Sequence, residues 1–90
     1  MKLELSPAAE ADLERIFLFN IQRTLAWAEK VERHLKERAK TLLVTPHIGR
    51  ATREPGVRRL SAPDIQYVLD YRCTKDRIRV LRIYSTREIR

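Results

Sequence analysis

Guanidinium groups supply most of the chemistry open to this chain of 90 residues. Arg58, Arg59, Arg77, Arg79, Arg82 and Arg87 crowd its C-terminal part, with Tyr84 among them. Two uses suit such a set. Cutting RNA requires a group to activate the 2′-hydroxyl, a group to protonate the leaving oxygen, and cations to stabilise the phosphorane between them. Arg59, Arg82, Tyr84 and Arg87 offer cations and a phenol for that work, yet no usable acid–base pair stands beside them. Gripping an anionic partner asks only for cations gathered on one surface. Binding without catalysis is therefore the expectation, and no residue is assigned a catalytic role.

The remaining reactive side chains read as structural. His34 falls on the exposed side of a helix and His47 in a loop between Pro46 and Ile48, with no second ligand at metal-binding spacing, so neither a metal nor a cofactor is expected. Cys73 closes an inward-facing row, where a small buried hydrophobe is the simpler reading than a reactive thiol. Trp27 stands near the start of a helix, where it either caps the core or offers an exposed protein contact. Arg15, Arg33 and Arg38 read as solvated charges on helix faces.

Strands must carry the arginines. From Ile65 to Cys73, the residues Ile65, Tyr67, Leu69, Tyr71 and Cys73 fall on one face, and Val68, Asp70 and Arg72 on the other. Arg77 to Tyr84 makes a second strand, joined to the first by Thr74-Lys75-Asp76 as an antiparallel hairpin. Its pattern breaks, because Ile78 and Val80 share one face while Leu81 and Ile83 share the other. Such a strand is either covered on both sides or bulged. Val57 to Leu60 feeds in as a third strand after a Pro55-Gly56 turn. Arg58 and Arg59, being adjacent, must point to opposite faces.

The N-terminal half reads as helical. Leu3 and Leu5 alternate with Lys2 and Glu4 as an opening strand, and Ser6-Pro7 then signals a helix start. Ala9, Leu13, Ile16 and Phe17 form its apolar stripe, ending near Asn20, with Glu10, Asp12 and Glu14 favoured at that end by the helix dipole. A second helix begins between Arg23 and Ala26 and buries Ala28, Val31, Leu35, Ala39 and Leu42. Pro46 and Gly49 mark its exit, and 51–54 reads as a polar surface loop. The class is α+β: a strand, a helical hairpin, then a three-stranded antiparallel sheet. Packing the hairpin on one side of the sheet leaves an open side bearing arginine.

Ninety residues make one domain, 1–90, with room for a single modest core. A 43% hydrophobic and 34% charged composition belongs to a folded chain. Nineteen Lys and Arg against twelve Asp and Glu leave a charge of +7. Residues 1–48 hold eight of these cations and seven of the acids, so the excess belongs to the sheet half, with eleven against five. That asymmetry points to nucleic acid or an acidic protein. No apolar run nears the length of about 18 residues that spans a bilayer, and the charged start is no signal peptide, so no membrane association and a cytoplasmic location are expected.

Several segments in order resemble the RelE/ParE toxins of bacterial toxin-antitoxin systems, and more closely the ParE-like, plasmid-stabilisation branch. They are Leu5-Ser6-Pro7-Ala8-Ala9-Glu10-Ala11-Asp12-Leu13, Pro46-His47-Ile48-Gly49-Arg50, Pro55-Gly56-Val57-Arg58-Arg59-Leu60, Tyr67-Val68-Leu69-Asp70-Tyr71-Arg72, and Asp76-Arg77-Ile78 through Arg82-Ile83. The resemblance implies a growth-inhibiting toxin held inactive by a cognate antitoxin with an acidic or partly disordered C-terminal segment. ParE-like members are associated with DNA gyrase inhibition, and RelE-like members with mRNA cleavage on the ribosome. Val68 stands where RelE-like members carry an Arg, and Tyr84-Ser85-Thr86-Arg87 has no His. Both departures favour a protein-binding toxin over a ribosome-dependent endonuclease; a non-toxic relative that only binds antitoxin is the third reading. Arg58, Arg59, Arg79, Arg82, Tyr84, Arg87 and Trp27 are the residues expected to contact target or antitoxin. DNA is expected to be met only through the antitoxin. Arg82 and Arg87 are the foremost candidates for an acidic partner, set against a role in keeping the surface soluble.

Overall fold

Ser6 starts the first helix as its sequence predicts: the hydroxyl accepts the Ala9 amide at 3.0 Å, and Pro7 occupies the first helical turn. In the computed structural model, which describes residues 1–88, β1 (Lys2–Leu5) leads directly into helix α1 (Pro7–Asn20). The last two positions of the expected 1–90 domain lie outside the described residues. Thr24 caps α2 (Leu25–Lys40), accepting the Trp27 amide at 2.9 Å, and a 3₁₀ turn, Thr41–Leu43, extends it. Four strands follow: β2 (Arg50–Ala51), β3 (Val57–Ala62), β4 (Tyr67–Cys73) and β5 (Arg77–Ser85).

These strands and β1 form one five-stranded sheet in the order β1-β5-β4-β3-β2. The expected three-stranded antiparallel set is its centre, and a strand is added at each edge. β1 lies parallel to β5, pairing Lys2 with Arg77 through Leu5 with Val80. At the far edge Arg50 pairs with Arg59 and Ala51 with Arg58, so Ala51, expected in a loop, is in a strand. Periodicity cannot reveal a strand of two residues.

The break in the β5 pattern is a bulge. Asp70 pairs with Arg82 but Tyr71 with Val80, which leaves Leu81 as the extra residue. Ile78, Val80 and Ile83 thereby all reach the same buried face.

The helical hairpin covers that face. Ile16, Val31, Leu35 and Ala39 from the helices meet Tyr67, Leu69, Val80 and Ile83 in the main cluster. Leu42, Leu60, Tyr71 and Ile78 form a second cluster where α2 ends. Cys73 is half-buried against that second cluster rather than closed inside it. His34 is likewise half-buried, not exposed, beside Arg38.

A buried polar network joins the hairpin to the sheet. The Asn20 amide donates to the Ile16 carbonyl at 2.8 Å and to the Tyr67 hydroxyl at 3.0 Å, and its carbonyl accepts the Trp27 indole N–H at 2.9 Å. Every polar group of this side chain that the network uses is satisfied, as its burial demands. Arg23 stacks 4.4 Å from the centre of the Trp27 ring.

Candidate functional site

Cross-strand partners share a face, so the register of the sheet decides which cations meet. The face turned away from the helices is built in rows. One row runs Arg50, Arg59, Asp70, Arg82 across β2, β3, β4 and β5. The next runs Arg72, Arg79, Glu4 across β4, β5 and β1, and Lys2 lies beside Arg77 at its margin. On the other side of the first row lie Ser61, Val68 and Tyr84. Seven cations thus occupy one sheet face.

Asp70 organises the middle. Arg59 grips its carboxylate with two hydrogen bonds, Nε at 2.7 Å and Nη2 at 3.1 Å. The Tyr84 hydroxyl donates to the same carboxylate and accepts from Arg59. The Asp70 hydrogen bond holds Arg59 above the ordinary guanidinium range, and burial, with Asp70 adding to it, pushes the Tyr84 phenol up to about 12. A phenol held there keeps its proton at neutral pH and is poorly matched to proton transfer.

At the β1 side, Arg79 and Arg77 share Glu4, with Nη1 atoms at 2.9 Å and 3.3 Å from Oε1. The Arg79 hydrogen bond, supported by Arg77 against a partial loss of solvation, keeps the Glu4 carboxyl below its usual range. Arg82 turns over the edge of β5 to Asp12 on α1, making contacts of 2.8 Å and 3.1 Å.

Asp12 is itself 4% exposed and does more than pair with Arg82. Its carboxylate accepts the Ile83 amide at 2.8 Å, and Ser6 donates to the Leu81 carbonyl at 2.8 Å. β1 ends at Leu5, opposite Val80, so the second half of β5 is paired with β4 but has no strand on its other edge. Side chains from the start of α1 satisfy its backbone instead. The expected placement of Asp12 near the helix start is correct, but its work is done on a distant strand.

The expected contact residues therefore divide. Arg59, Arg79, Arg82 and Tyr84 share the open face. Arg58 is on the helix side, opposite Tyr71, where Nη1 donates to the Gly49 carbonyl at 2.8 Å and anchors the exit loop of α2. Arg87 lies in the 3₁₀ turn beyond β5 and lines a concavity with Phe19, Asn20 and Gln66. Trp27 is half-buried at the hairpin, with its indole N–H committed to Asn20. Arg50 and Asp70, which no site expectation named, belong at the centre of the face. Asp70 was legible on the same strand face as Arg72; Arg50 carried no signal because its strand is so short.

On the opposite layer an apolar groove of about 200 Å³ opens between β1 and the helices. Leu3, Leu5, Leu13, Leu35 and Ala39 line it, and Lys36 and Lys40 stand with them. Among the described residues no group of His, Cys, Asp and Glu could hold a metal ion, and no helix is long and apolar enough to cross a membrane.

A family model of the ParE toxin of type II toxin-antitoxin systems, parDE, matches residues 3–90. A solved structure described as the chromosomal ParDE toxin-antitoxin system from P. aeruginosa is similar over 94% of this chain and 95% of its own, with a TM-score of 0.85 and 27% identity. No curated protein matches the chain in sequence.

Proposed function

This chain belongs to the ParE toxin family of type II toxin-antitoxin systems, and we propose that it inhibits growth by binding a protein target, DNA gyrase, rather than by cutting RNA. One observation carries that choice. Asp70 holds both Arg59 and Tyr84, so the phenol and the central guanidinium face each other and not a substrate. Arg82 is drawn to Asp12, and Arg87 lines a concavity near the end of the helical hairpin. Of the four side chains an endonuclease would need, Arg59 and Tyr84 are closed on Asp70 while Arg82 and Arg87 are engaged elsewhere, so the four do not converge on one point.

Neutralisation falls to a cognate antitoxin in the cytoplasm. Its acidic C-terminal segment lays an amphipathic helix in the apolar groove, where Lys36 and Lys40 meet its carboxylates, and adds a strand at the exposed edge of β1.

A supercoiling assay with purified chain tests the gyrase reading. Inhibition that is reversed by stoichiometric antitoxin is expected, and no inhibition at any soluble concentration would overturn it. Primer extension on translated message tests the alternative: discrete cuts lost in Arg87→Ala would establish an endonuclease instead.

A further inference from the structure

The open sheet face has a charge surplus and almost no apolar surface. Against its seven cations stand Glu4, Asp70 and, from the flanks, Asp12 and Asp76, which leaves three positive charges in excess. Arg50, Arg72 and Lys2 have no carboxylate partner among the described residues. Val57 and Val68, the aliphatic side chains on this face, are 4% and 2% exposed. Most of the large exposed hydrophobic side chains lie elsewhere, Leu18, Phe19, Ile21 and Leu25 around the hairpin tip and Leu43, Val44 and Ile48 after α2, while Met1 adjoins Lys2 at the margin of the face.

That composition discriminates between partners. The centre of a protein–protein interface is depleted of charge and enriched in apolar side chains. Interfaces with DNA are polar and strongly cationic, and their hydrogen bonds go mainly to phosphates. Single strands need aromatic platforms for their bases, whereas Tyr67 and Tyr71 are buried on the other face and the Tyr84 hydroxyl is tied to Asp70. Neighbouring strands are about 4.8 Å apart, so the row from Arg50 to Arg82 sets guanidinium groups across about 14 Å of flat surface. That width suits the backbone of a duplex.

We propose that the open face of the sheet binds the phosphate backbone of duplex DNA directly and without sequence preference, with Arg50, Arg72 and Lys2 as its uncompensated cations. This departs from the expectation that DNA is met only through the antitoxin. It also stands apart from the gyrase reading, because naked DNA is its ligand.

Fluorescence anisotropy of the full chain with a mixed-sequence duplex, over salt from 50 to 200 mM, tests it. Three neutralised phosphates predict a slope of log K against log salt of about −2.7, which is a loss of about fortyfold across that range. Arg50→Gln with Arg72→Gln is expected to bring the slope to about −0.9, and Arg50→Lys with Arg72→Lys to keep it at about −2.7, since a point charge suffices for a phosphate. Neither pair touches the Arg59–Asp70 or Arg82–Asp12 contacts, and circular dichroism verifies folding. Lys36→Gln with Lys40→Gln, on the other layer, is expected to leave DNA binding unchanged. The proposal is overturned by no duplex binding at 50 mM salt, by a slope indifferent to the glutamine pair, by tighter binding of single-stranded RNA, or by polyglutamate displacing DNA charge for charge. A chain that fails to inhibit gyrase yet binds duplex in this way upholds it, and one that inhibits gyrase without binding duplex does not.

Discussion

The Asp12 carboxylate accepts the backbone amide of Ile83 at 2.8 Å, joining the first helix to the last strand across 71 positions of sequence. It stands where a neighbouring strand would supply a carbonyl. With Ser6 on the Leu81 carbonyl, it leaves this stretch of β5 unavailable for pairing with another chain.

Acid should therefore loosen the α1–β5 contact. Burial alone would raise the Asp12 carboxyl, but Arg82, the Ile83 amide and Arg15 outweigh it and hold the group below its usual range. A carboxylate whose folded pKa is depressed contributes its full stability above the unfolded value, about 3.9, and loses it as pH falls through the folded value. Asp12→Asn should lower stability at pH 7 by about 1.5–3 kcal/mol, the range for a hydrogen bond to a charged group. Its stability should also decline less than the wild type's below about pH 4, as measured by urea unfolding across pH.

Gly49 has no room for a methyl group. A Cβ there would meet Tyr71 Cε1 at 2.6 Å and its hydroxyl at 2.8 Å. That hydroxyl accepts the Gly49 amide at 3.0 Å and donates to the Pro46 carbonyl at 2.8 Å. Gly49→Ala should displace the loop after α2 and cost about 1–3 kcal/mol by overpacking. Tyr71→Phe, which leaves two backbone groups without their partner, should cost a similar amount. Thermal unfolding of the two variants measures both.

Asn20 offers a separate test of the hairpin. Asn20→Leu removes the partner of the Trp27 indole and of the Tyr67 hydroxyl, both bonded to it at 2.9–3.0 Å. A loss of about 2–3 kcal/mol is expected for polar groups left buried and unpaired. A lower denaturant midpoint at unchanged m, with a shift in tryptophan emission, would register it.

The Tyr84 phenol should stay protonated well into alkali. Its folded value of about 12 exceeds the unfolded value near 10. An acid whose folded pKa is raised contributes fully below pH 10, and that contribution fades as pH rises from 10 through 12. Ultraviolet titration at 295 nm should show one tyrosinate transition in the native chain that Tyr84→Phe removes. Asp70→Asn should bring that transition to lower pH.

Binding of the cognate antitoxin should depend on the groove and its lysines. Lys36→Glu with Lys40→Glu reverses two rim charges, and about tenfold weaker binding is expected, in keeping with exposed pairs worth about 0.5–1 kcal/mol each. Arg23→Gln, which loses only the stacking on Trp27, should leave it unchanged. Isothermal titration against the antitoxin segment decides between them.

The sequence alone determined the elements and most of their faces. Ser6-Pro7 set the start of α1, the stripe from Ala28 to Leu42 set the buried side of α2, and the alternation from Tyr67 to Cys73 put both tyrosines inward. These are local signals, carried by caps and by periods of 3.6 and 2. Only the tertiary structure decided which side chains meet. The bulge at Leu81 returns Ile83 to the core and brings Arg82 opposite Asp70, and the parallel docking of β1 sets Glu4 between Arg77 and Arg79. Asp12 at the edge of β5, and the closed group of Arg59, Asp70 and Tyr84, follow from the same placement. Periodicity tells a residue which face it shares and never which neighbour it has; register, chosen by contacts between distant segments, supplies the neighbour.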